Sequence, residues 1–136
     1  MRHPLLAISM STLLLGAMPY VFAQPKGERA TVRGEVVDLW CYLEGGDRGP
    51  DKKQCATACA RAGNPIGILD ANGKLYLAAG LKDHQPAQAL LVNRMSEEVS
   101  VTGTVVNKAG MQMIYIDTVN KAAAVSPALV LWHALR

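Results

Sequence analysis

A glycine-centred strand pattern occurs twice in this chain, and it limits the folds open to it. Thr31-Val32-Arg33-Gly34-Glu35-Val36-Val37-Asp38 reappears as Ser100-Val101-Thr102-Gly103-Thr104-Val105-Val106-Asn107. Both runs are β-branched and roughly alternating, the mark of half-buried strands. Glycine in mid-strand weakens pairing unless the sheet bends sharply or another backbone approaches closely. The corners of a small barrel impose that need.

Between the two runs, Ile66 to Leu69 and Lys74 to Ala78 flank Asp70-Ala71-Asn72-Gly73, whose Asn-Gly step accepts positive φ easily, so a hairpin is expected. Pro86 suits a first helical position, and Ala87, Leu90, Leu91 and Met95 recur at helical spacing up to Ser96-Glu97-Glu98. Val99 to Asn107 and Met111 to Val119 alternate on either side of Lys108-Ala109-Gly110 and form a second hairpin. The order is strand, helical insert, strand, strand, helix, strand, strand. It predicts a mainly β domain over 31–119: a five-stranded OB-like barrel (oligonucleotide/oligosaccharide-binding topology). A Cys-bearing helix would lie between strands 1 and 2 and a short helix between strands 3 and 4. An open α+β sheet uses the same elements and is the rival.

The ends read differently. Arg2, an apolar run from Leu5 to Met18 and the small residues Val21 and Ala23 around Phe22 form a secretory signal over 1–23. The run is shorter than the roughly 20 residues a membrane span needs, so cleavage is expected over an uncleaved anchor, and the location is periplasmic or secreted. Residues 24–30, with Pro25 and Gly27, read as a flexible leader. Residues 120–136 read as a tail in which Ser126-Pro127 opens a short helix ending in Leu131-Trp132-His133-Ala134-Leu135-Arg136.

Charge argues against a polyanionic ligand. The chain has 14 basic and 11 acidic side chains, and loss of Arg2 with the signal leaves 13 against 11, with the signs interleaved. The few aromatic residues are not set among clustered Lys or Arg, so nucleic acid is not expected as a partner. No transmembrane span is expected after signal cleavage, and a periplasmic protein partner is compatible with this surface.

Cys41, Cys55 and Cys59 carry the chemistry. An odd number of cysteines in an exported chain implies a free reactive thiol, an intermolecular bridge or a three-sulfur metal site. Asp51 and Gln54 form a capping-box pattern and Gly63 and Pro65 a stop, which predicts a helix over Lys52 to Ala62. Cys55, Ala58, Cys59 and Ala62 then make one narrow stripe of small residues facing something close. Cysteines four apart on one helix have side-chain vectors nearly parallel, so any intrachain disulfide should join Cys41 to Cys55 or Cys59. Such a bridge would staple the polar, glycine-rich loop from Glu44 to Pro50. The alternative is a trio of thiolates, with Cys41 arriving from the end of a strand. Three soft donors suit Cu(I) or supply most of a zinc site, and Lys52, Lys53 and the helix dipole would favour the thiolates.

Candidates for a fourth ligand are His84, His133, Met95, Met111 and Met113, although Met111 and Met113 share the face expected to form barrel core. Trp40 and Tyr42 are expected to cover the cysteine helix. Glu35, Asp38, Glu44, Asp47 and Asp51 read as strand surface, loop solvation and helix cap rather than acid or base groups. The Cys-x-x-x-Cys spacing is not that of a dithiol redox motif, and no enzyme activity is expected.

Gly34-Glu35-Val36-Val37-Asp38, Cys41-Tyr42-Leu43, Gly46, Gly49, Cys55-Ala56, Cys59 and Gly63-Asn64-Pro65-Ile66-Gly67 resemble a family of small exported bacterial OB-fold-like proteins of unsettled function. The resemblance runs from Thr31 to Val119. It implies an OB-like domain and a cysteine site. Members often carry a histidine three residues before the first cysteine of the pair, where this chain has Lys52. The reading that results is a periplasmic or secreted binding protein holding a soft metal ion, most plausibly copper, through Cys41, Cys55 and Cys59. The alternative is a disulfide-stapled interaction or ligand-binding module with no metal.

Overall fold

Alternation puts Val32, Gly34 and Val36 on one face of the first strand, and that face is the inside of a barrel. The computed structural model describes residues 26–123. Its strands are β1 (Glu28–Asp38), β2 (Ile66–Asp70), β3 (Leu75–Gly80), β4 (Glu98–Lys108) and β5 (Met111–Lys121). Its helices are α1 (Leu39–Gly45), α2 (Lys53–Arg61) and α3 (Gln88–Leu91). Short 3₁₀ turns, Pro50–Lys52 and Val92–Arg94, lead into α2 and out of α3. Among these described residues no helix is long and apolar enough to cross a membrane.

The strands close in the order β1-β2-β3-β5-β4, with β4 returning to β1. The parallel β3–β5 contact, Leu77 opposite Met113 through Gly80 opposite Ile116, is the seam that rules out the open sheet. This is the expected mainly β, OB-like barrel. β1 begins at Glu28, where it already faces Val105 of β4, so the leader expected to reach Ala30 gives its last residues to the sheet. β5 runs on to Lys121, and Ala122 donates its N–H to Glu98, so the first residues assigned to the tail belong to the barrel. The signal segment and the proposed tail helix lie outside the described residues.

Both mid-strand glycines work as the pattern requires. β1 passes from pairing with β4 to pairing with β2 around Gly34, which faces Val99 on one side and Asp70 on the other. A Cβ there would collide with the Leu69 carbonyl oxygen. Gly103 sits at the register shift between Thr102 and Gly103, where a Cβ would collide with the Tyr115 carbonyl oxygen. Each glycine lets neighbouring backbones close to a distance no side chain permits, and the strands bend there.

Val32, Val36, Ile66, Ile68, Val99, Val101, Ile114 and Ile116 fill the interior, capped by Leu91 and Met95 from the α3 segment and by Ala56 and Ala60 of α2. A second, smaller cluster forms outside β1: Val37, Leu39 and Leu69, with Tyr42, Leu75 and Leu77 against it. Val37 faces away from the barrel, so a long β1 needs cover on both sides, and α1 supplies it. Two expectations fail here. Met111 is 56% exposed and Met113 only half-buried, because β5 enters the barrel proper at Ile114. The Ala58–Ala62 stripe is also misplaced: Ala58 and Ala62 are exposed, and Ala56 and Ala60 form the buried face of α2.

Candidate metal centre

Cys41 does not stand at a strand end. Asp38 stops β1 and caps α1, its Oδ1 accepting the Cys41 N–H at 2.9 Å, so Cys41 sits in the first turn of a helix. The turn is anchored from behind by the Leu39 N–H, which donates to the Pro65 carbonyl at 3.0 Å. α1 ends at Gly46, whose φ of 74° lets its N–H reach the Cys41 and Tyr42 carbonyls. One short helix therefore fixes Cys41 from both sides.

The chain then returns through the loop expected to need a staple. Three contacts order it without one. Gly49 donates its N–H to Glu35 Oε1 at 2.5 Å, Lys52 Nζ pairs with Asp47 Oδ1 at 2.9 Å, and the Asp47 N–H reaches the Cys41 carbonyl at 3.4 Å. The predicted helix over Lys52 to Ala62 divides into the 3₁₀ turn and α2. Lys52 occupies the cap position with no side-chain cap bond, so the Asp51–Gln54 capping box does not form. Pro50 explains the change, since its fixed φ starts a tight turn one step before the expected cap. Lys53 holds the start of α2 to the rim of the barrel by pairing with Glu97 at 2.6 Å. The predicted stop is present: Gly63 takes φ 104° and the Asn64 N–H closes on the Cys59 carbonyl at 3.1 Å.

α1 and α2 bring all three sequence-predicted sulfurs together. The Sγ atoms of Cys41, Cys55 and Cys59 lie within 4.8 Å of one another, and Cys41 and Cys59 are 4.0 Å apart. All three are free thiols; Cys55 is exposed and the other two are half-buried. Sulfurs about 2.3 Å from a common ion stand about 3.8 Å apart around a tetrahedron and about 4.0 Å apart in a trigonal plane. The observed triangle is within a small side-chain adjustment of either. Buried Ala56 and Ala60 hold α2 on the barrel, which leaves the adjoining cysteine edge turned toward α1.

The other candidates do not join this cluster. His84 is exposed and pairs with Asp83; Met95 is in the barrel core; His133 lies outside the described residues. Trp40 does not cover the cysteine helix: it is 66% exposed, its indole N–H bonded to Glu44 at 3.1 Å, while half-buried Tyr42 packs on the cluster around Leu39.

Asp38 is the buried neighbour of the cluster that the sequence pattern conceals. It reads as strand surface yet is 1% exposed, and its Oδ2 is buried without a hydrogen-bond partner. Leaving such an oxygen unsatisfied costs on the order of 1–3 kcal/mol. The Asp38 carboxylate, and burial after it, push the Cys41 thiol up to about 12, and burial raises Cys59 as well. The Cys41 and Cys59 thiols therefore hold their protons near neutral pH, and a cation binding between the sulfurs must displace them. The signal available in the sequence was the Asp38–Cys41 spacing, which is that of a cap and the third residue of its helix.

Compared with protein-family models, with curated proteins and with solved structures, the chain has no match. Fold and site thus define it on their own as a small OB-like barrel with a three-thiol cluster where α1 and α2 meet.

Proposed function

We propose that this is an exported, periplasmic or secreted, binding protein that holds a soft metal ion through Cys41, Cys55 and Cys59, with copper as the leading ion. The observation that supports it most is the approach of three sulfurs to within 4.8 Å on two helices that other contacts hold in place. Three thiolates form a complete shell for Cu(I), which prefers soft donors and low coordination numbers. Zn(II) takes the same sulfurs but wants a fourth donor. The test is anaerobic titration of the reduced protein with Cu(I) and with Zn(II). One ion per chain, lost when Cys59 becomes Ser, supports the reading; no stoichiometric uptake, or uptake indifferent to Cys59, rules it out.

A second reading has its own observation, the 4.0 Å between Cys41 and Cys59. Oxidation would join that pair and leave a stapled binding module with Cys55 free. Mass spectrometry of the unreduced protein separates the two: two hydrogens lost with one alkylatable thiol favours the staple, and three alkylatable thiols favour the metal.

A further inference from the structure

Asp38 ties one carboxylate oxygen to the backbone of α1 and leaves the other buried near the Cys41 thiol without a well-formed hydrogen bond. Oδ1 is committed to the Cys41 N–H, while Oδ2 is buried with no partner, on a residue 1% exposed. A cap needs only one oxygen. The second sits three residues from a sulfur donor, in the turn that positions that donor. Of the other carboxylates around the cysteine segment, Glu35 binds the Gly49 N–H, Glu44 the Trp40 indole and Asp47 the Lys52 ammonium, while Asp51 is exposed to solvent. The cluster of closest approach contains the sulfurs alone, and the Asp38 carboxylate acts on the Cys41 thiol.

We propose that Asp38 is the fourth donor of the centre, turning its unpartnered Oδ2 onto a divalent ion held by Cys41, Cys55 and Cys59. The inference rests on the three-cysteine reading and adds how that site tells ions apart. A buried carboxylate oxygen whose nearest polar neighbour is the Cys41 thiol gains most from a hard or borderline cation. Zn(II) fills a four-coordinate shell with it, whereas Cu(I), satisfied by three sulfurs, has no use for it. Charge points the same way. Three thiolates and a carboxylate carry four negative charges, and a divalent ion offsets one more of them than a monovalent ion does. Asp38 therefore sets the zinc affinity of the site and leaves its copper affinity nearly untouched.

The test is Asp38→Asn, which keeps a cap oxygen for Cys41 and replaces the ligating oxygen with an amide nitrogen. Asp38→Ser, also able to cap, serves as the second variant, and circular dichroism confirms the fold of both. Zn(II) and Cu(I) affinities are measured by chelator competition, and Co(II) is used as a visible probe of coordination. The expected result is Zn(II) binding at least about tenfold weaker in both variants, with Cu(I) binding changed by less than about threefold. The Co(II) d–d bands should shift while the sulfur-to-cobalt charge-transfer bands persist. Unchanged zinc affinity and cobalt spectra would assign the fourth position to water and overturn the proposal. Equal weakening for both ions would reduce Asp38 to a support for Cys41 and overturn it too. If the unsubstituted protein takes up neither ion, the three-cysteine reading fails with it; if it takes up both and Asp38 is indifferent, this inference fails alone.

Discussion

Oxidising the metal-free protein should join Cys41 to Cys59 and leave Cys55 free. The choice follows from geometry. Cys55 and Cys59 project from one helix in nearly parallel directions, whereas Cys41 meets Cys59 across the α1–α2 interface at 4.0 Å. The sulfurs must close to about 2.05 Å, a movement that α1, a short helix of 7 residues ending in a glycine cap, can accommodate. The bridge spans 18 positions, and the chain-entropy model gives such a loop about 3 kcal/mol of stabilisation. The loop is already ordered in the native state by Glu35, Asp47 and Lys52, so the gain comes almost wholly from the unfolded chain. Allowing for strain at the new bond, a net 2–3 kcal/mol is expected, roughly 8–20 °C in Tm for a domain of this size. Urea and thermal unfolding with and without reductant, both in chelator, measure it, and peptide mapping locates the bond. A map dominated by Cys55–Cys59 or Cys41–Cys55, or a gain under about 1 kcal/mol, would refute the reasoning. The oxidised protein should also bind no Cu(I), since two of the three donors are consumed.

Metal loading should strengthen with rising pH. The Cys41 thiol, at about 12, and the raised Cys59 thiol both give up a proton on binding, so log Kapp should climb by at least two per pH unit between roughly pH 6 and 8, as read by chelator competition. A slope near zero would mean those sulfurs do not ligate. Gly34→Ala and Gly103→Ala each drive a methyl into a partner-strand carbonyl, and each should destabilise the barrel by about 1–3 kcal/mol in urea titration. The Lys53–Glu97 pair has a sign that pH can check. Lys53, with Arg94 behind it, lowers Glu97, so its contribution is present above the ordinary carboxylate value of about 4.3 and is lost as pH falls through the lower folded value. Both side chains are substantially exposed, so Lys53→Ala should cost no more than about 1 kcal/mol at pH 7.

How much of this was legible beforehand depends on the range of the physics involved. Strands and turns are local, and they read correctly: alternation marks β1, β4 and β5, and Asp70 holds its turn by accepting the Asn72 and Lys74 N–H groups, as the Asp-Ala-Asn-Gly sequence suggests. The trio of cysteines was also legible, because an odd thiol number in a chain read as exported leaves few arrangements. The failures lie where a residue's role depends on what folds over it. Cys41 reads as the end of a strand, yet the segment Leu39 to Gly45 is a helix. The helix forms because Asp38 caps it and because Leu39 and Tyr42 find Val37 of β1 and Leu69 of β2 on the outside of the barrel. Asp38 is misread for the same reason. On a strand with one wet face it would be solvated, but its partner in register is Ile66, and the chain returning through Pro65 closes over it. An acidic side chain that ends a strand, caps the next helix and is buried with a free oxygen is not explained by capping alone, since an exposed aspartate would cap equally well. The energetic penalty of that burial is what motivates the proposed fourth donor, and zinc affinity after Asp38→Asn is the measurement that decides whether Asp38 is one.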